Sequence, residues 1–76
     1  MTADDYINWA QEYRREAETV ENLISRKKQE LEHEGRSYEK MTIGTTVKRL
    51  ESQRLKCLNT AKMLEERAAC IRKMEE

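Results

Sequence analysis

The 76-residue sequence predicts an all-α fold: an antiparallel, coiled-coil-like two-helix hairpin that dimerises into a four-helix bundle. Three observations carry this expectation. Charged residues make up 39% of the chain against 37% hydrophobic ones, with no Pro and two Gly, the composition of long charged helices. Apolar residues recur at alternating three- and four-residue intervals in two long series, the spacing of a helical seam. A short segment that holds both glycines separates the two series. Full disorder, suggested by high charge and low hydropathy, conflicts with this periodicity.

The first helix is predicted over about residues 3–34. Thr2 is its N-cap, and Asp4 and Asp5 fall in the first turn, where the helix dipole favours negative charge. Its series is Ala3, Tyr6, Ala10, Tyr13, Ala17, Val20, Ile24, Lys27 and Leu31, ending at the stop signal Gly35. A loop is expected over about 35–45, where Gly35, Gly44, Thr42 and Thr45 cluster. The second helix is predicted over about 46–74, with a short helical turn after Ser37 as an alternative start. Its series is Ile43, Val47, Leu50, Arg54, Cys57, Ala61, Leu64, Ala68 and Ile71. Together these elements form one domain over 1–76, because the chain is too short for two.

Folding the series antiparallel about that loop, with paired numbers summing to about 81, gives layers such as Leu31–Leu50, Ile24–Cys57, Val20–Ala61 and Tyr13–Ala68. Most pair a large side chain with a small one. The two polar members, Lys27 and Arg54, fall in one layer, with Glu30 and Glu51 within reach to neutralise them. Apolar residues beside the seam (Ile7, Trp9, Leu23, Leu55, Leu58, Met63, Cys70 and Met74) widen the apolar face, as in a bundle helix. A second copy or a larger partner would bury them.

No constellation favours catalysis, and the chain is expected not to be an enzyme. His33, the single histidine, lies between Glu32 and Glu34 on a face expected to be exposed, without a nucleophile nearby. Glycine-rich phosphate loops are missing. Cys57 and Cys70 stand about 20 Å apart on one helix, too far for a disulfide and without the clustering that zinc needs. No cofactor or metal is therefore expected. Free thiols point to a reducing compartment, the cytoplasm. The longest apolar run, Ala68 to Ile71, falls far short of the roughly 20 residues of a membrane span.

Two binding surfaces remain. Tyr6, Trp9 and Tyr13 form an aromatic stripe in helix 1. Tyr6 and Tyr13 read as seam residues, whereas Trp9, beside the seam, fits core and contact surface equally. Together with Leu23, Leu55, Leu58 and Met63 these residues are the candidate dimer or partner interface. The charge is also uneven: residues 26–56 carry nine basic and five acidic groups, and residues 1–25 two and six. Arg26, Lys27, Lys28, Lys48, Arg49, Arg54 and Lys56 thus form a basic patch at the loop end that could hold a phosphate backbone. The run Met41 to Leu50 resembles the start of a helix-turn-helix. However, Lys40 and Gln53 fall where that motif needs a small and an aliphatic residue. Ser52-Gln53-Arg54-Leu55-Lys56 is similar to the Ser-Gln-X-Leu-Asp motif of small sporulation phosphatases, with Lys56 in place of the acidic residue. Neither likeness carries a function over.

The sequence therefore favours a non-catalytic protein–protein interaction module, a small adaptor, regulator or inhibitor. It would act as a homodimer by helical docking on a larger protein, with a phage or mobile-element accessory protein as one setting of this size. A nucleic-acid-binding regulator using the basic loop end is the alternative.

Overall fold

In the computed structural model, which describes residues 1–75, two helices lie side by side: α1 over Ala3–His33 and α2 over Ser37–Glu75. Glu76 lies outside the described residues. The molecule is a rod of 60 × 14 × 14 Å, and no described helix is long and apolar enough to cross a membrane.

Helix α1 starts at Thr2, whose Oγ1 accepts the Asp5 N–H at 3.2 Å while its own N–H donates to the Asp5 carboxylate at 2.9 Å. This reciprocal capping box satisfies two of the amides that a helix start leaves unpaired. The helix ends where Glu34 turns extended, at φ −87° and ψ 125°. Neither glycine adopts positive φ, so Gly35 marks the break without forming a left-handed cap. The Glu34 carboxylate accepts the Arg36 N–H at 3.0 Å and ties the turn to the start of α2.

The connection is only Glu34 to Arg36, so helix covers the segment 37–45 that the sequence assigns to a loop. The apparent loop signals are absorbed locally. The hydroxyls of Thr42, Thr45 and Thr46 donate to the carbonyls of Tyr38, Met41 and Thr42, four residues back, at 3.2, 3.0 and 3.0 Å. Gly44 costs a helix interior about 0.5–1 kcal/mol relative to Ala. Against that stand the burial of Val47 and the packing of Ile43 onto the same cluster, with full burial of such a side chain worth about 1.5–3 kcal/mol. Packing outweighs propensity here.

The short connection also overturns the pairing that sums to 81. Val20, Ile24 and Val47 form one buried cluster, with Ile43 and Leu50 packed against it. Paired numbers therefore sum to about 71–74, a slide of about 7–10 residues or about 10–15 Å along α2. Lys27 and Arg54 do not share a layer. Lys27 reaches Glu30 on its own helix at 3.3 Å, and Arg54 reaches Glu21 at 3.9 Å. By the same count Ala10 stands level with Ala61, and Ala3 with Ala68. All four are buried, Ala10 and Ala61 completely. Small residues let the helix axes approach closely at the open end, while the branched aliphatics fill the loop end.

Candidate functional site

Heptad columns sort the surface of the hairpin into an ion-paired face, an aromatic face and two outer edges. On the ion-paired face, residues 14, 21 and 28 of α1 lie in one column and 51, 65 and 72 of α2 in another. Arg14–Glu65 meets at 2.6 Å, Lys28–Glu51 at 3.5 Å, Arg54–Glu21 at 3.9 Å and Arg72–Asp4 at 3.1 Å. Every cross-helix ion pair among the described residues is on this face. The Arg14–Glu65 pair is the tightest, with both Nε and Nη2 of Arg14 donating to the carboxylate. That hydrogen bonding holds the Glu65 carboxyl below its ordinary range and Arg14 above its own.

The opposite face carries the aromatics. Trp9 and Tyr13 lie 6.4 Å apart, centroid to centroid and tilted by 38°, and the Arg67 guanidinium sits 5.9 Å from the Tyr6 ring centroid. Trp9 and Tyr13, with Glu12 and Glu16, line a shallow open groove. The sequence places Tyr6 and Tyr13 in the seam, but both are only half-buried. The alanines beside them occupy the centre of the contact, and the rings are pushed to its edge.

Of the remaining interface candidates, Leu23, Leu55 and Met63 are exposed, as is Trp9, whereas Leu58 is half-buried. The hairpin does not bring them together. Trp9, Leu23 and Met63 border the aromatic face, and Leu55 lies on the outer edge of α2. Sequence reading missed Tyr38 and Met41, which it assigned to the loop. Once α2 begins at Ser37 they fall with Leu55 on the outer side of α2, all three exposed, with Lys48 between Met41 and Leu55. The signal was present as a second apolar set offset from the seam, but it is readable only when the helix start is known.

The basic patch is dispersed in the same way. Lys27, Lys28 and Arg54 are engaged by Glu30, Glu51 and Glu21. Among the described residues, Arg26, Lys48, Arg49 and Lys56 have no ion pair. At about 100° per residue, Lys48 points outward on the Leu55 side of α2, while Arg26, Arg49 and Lys56 border the aromatic face.

His33 lies in a shallow open groove with Lys27, Glu30, Glu34, Glu39 and Thr42, a concavity that the sequence reading did not foresee. The Thr42 hydroxyl there is spent on a backbone carbonyl. No group of three or more His, Cys, Asp or Glu arranged to hold a metal occurs among the described residues. Cys57 is buried and Cys70 exposed. Burial, and next the charge of Glu16, push the Cys57 thiol above its ordinary value, so it packs as a small apolar group. Neither a family model, nor a curated protein, nor a solved structure matches the chain.

Proposed function

We propose that the chain is a non-catalytic protein–protein interaction module, a small adaptor, regulator or inhibitor that docks by its helices onto a larger protein. One observation carries this reading. Helix α2 has apolar residues on two opposite sides, one packed on α1 and the other, with Tyr38, Met41 and Leu55, open to solvent. A lone helical hairpin has no internal use for these exposed apolar side chains, whereas apolar anchors on a helix face laid into a partner's groove are a common mode of recognition. The two free thiols fit a reducing compartment such as the cytoplasm.

The test compares wild type with a Met41→Lys/Leu55→Lys variant as baits in the native host, scored by quantitative mass spectrometry. Circular dichroism verifies that helicity is kept. The reading expects a protein captured by wild type and lost from the variant. Equal capture by both baits would overturn it. A salt titration against random duplex runs alongside: a steep fall of affinity with salt, reversed by neutralising Arg49 and Lys56, would support the nucleic-acid alternative instead.

A further inference from the structure

The two broad faces of the hairpin treat their charges differently. On one, acids and bases are matched across the helices within the chain. On the aromatic face they are segregated around Trp9 and Met63, whereas near the connection Arg26 on α1 and Glu39 on α2 reverse the signs. Its α1 border carries Asp5, Glu12 and Glu16 around Trp9, and its α2 border carries Arg49, Lys56 and Arg67 around Met63. None of these six makes an ion pair among the described residues, and Trp9 and Met63 are 41% and 68% exposed.

We infer that this face binds a second copy of the chain, with the two-fold axis running along the rod so that α1 of each protomer lies on α2 of the other. This rests on the reading of the chain as an interaction module and names one of its partners. Charge decides the geometry. A face-to-face pair can have its two-fold axis along the rod or across it. An axis across the rod stacks α1 on α1 and α2 on α2 head to tail, which sets Arg49 of each copy against Lys56 of the other. An axis along the rod sets the acidic border of each copy on the basic border of its mate, which favours encounter and fixes register.

The spacing agrees at every level. An axis along the rod preserves height, so the register found within one chain also holds between chains. The α1 column Trp9, Glu16, Leu23 and Glu30 then meets the α2 column Met63, Lys56, Arg49 and Thr42 of the mate, each at a seven-residue interval. Glu16 faces Lys56, Trp9 faces the Met63 thioether, and Leu23 lies along the aliphatic stem of Arg49. By symmetry each contact occurs twice. Met41 and Leu55 stay outside this contact and remain free for the larger partner.

Sedimentation equilibrium tests the inference through a charge exchange. Wild type should have twice the 9.1 kDa chain mass at micromolar concentration. Glu16→Lys and Lys56→Glu each place two like-charged pairs in the interface and should weaken self-association by about tenfold or more. An equimolar mixture of the two variants should recover dimer, because in the heterodimer both pairs are again opposite in sign. A rearrangement within one chain would not be rescued by mixing. The inference falls if wild type is monomeric, if either single variant associates as tightly as wild type, or if the mixture associates no better than its components. Circular dichroism confirms that each variant keeps its helices. Monomeric wild type that still captures a protein through Met41 and Leu55 would overturn this inference and leave the proposed function standing. A dimer of the stated geometry that captures nothing would do the reverse.

Discussion

Among the described residues, Glu65 and Asp5 are the carboxyl groups held below their ordinary values. The Arg14 hydrogen bond is the main cause at Glu65, and the Thr2 backbone N–H, followed by the Thr2 hydroxyl, at Asp5. A depressed carboxyl stabilises the fold above its unfolded value, and that contribution is lost as the pH falls through the lower folded value. The fold should therefore lose stability on acidification below the ordinary values of 4.5 and 3.8. Glu65→Gln should melt below wild type at neutral pH. The gap should narrow as the pH falls below 4.5 and also in high salt, since the pair is solvent-exposed and screened. Thermal melts followed by circular dichroism check this, and a gap that persists in acid would show that Glu65 acts through packing instead.

At the scale of the element, α2 is the informative helix. A Cβ added at Gly44 meets nothing within 4 Å, and its φ is not positive. Gly44→Ala should therefore stabilise the hairpin by about 0.5–1 kcal/mol in urea unfolding. An open connection at 35–45 would show no such gain. The contact between helices makes the opposite demand. Ala10 and Ala61 are both 0% exposed, so Ala61→Leu has no space to occupy without separating the axes. It should destabilise by about 1–3 kcal/mol in the same measurement, and Ala10→Leu should do likewise. The start of α1 and the seam of both helices are legible in the sequence. Thr2 caps α1, and Ala10, Ala17, Val20, Ile24, Val47, Cys57, Ala61 and Ala68 are buried where the three–four spacing puts them. The N-terminal end of α2 is not, because Gly44 and the threonines carry loop propensity that only the packing of Ile43 and Val47 overrules.

For the whole molecule, the shape makes a separate prediction. A rod of 60 × 14 × 14 Å that pairs along its length doubles its mass and thickens without growing longer. Small-angle scattering across a dilution series should show a nearly constant maximum dimension while the cross-section grows with concentration. End-to-end association would lengthen the particle instead.

The order of residues alone dictates that the chain forms two helices, where the first begins, most of the residues turned inward, and that apolar side chains are left over beside the seam. Local chemistry and helical periodicity suffice for that. It does not determine which layer of α1 meets which layer of α2. A slide of about 7–10 residues is two to three turns, so it brings a similar apolar layer onto the same face and leaves the pattern almost unchanged. Only the tertiary structure broke that degeneracy, because the three-residue connection and the cluster of Val20, Ile24 and Val47 admit a single register. That register then sorted the surface. It gathered the ion pairs on one face, left segregated charge around Trp9 on the other, and dispersed a basic patch that had looked contiguous in the sequence.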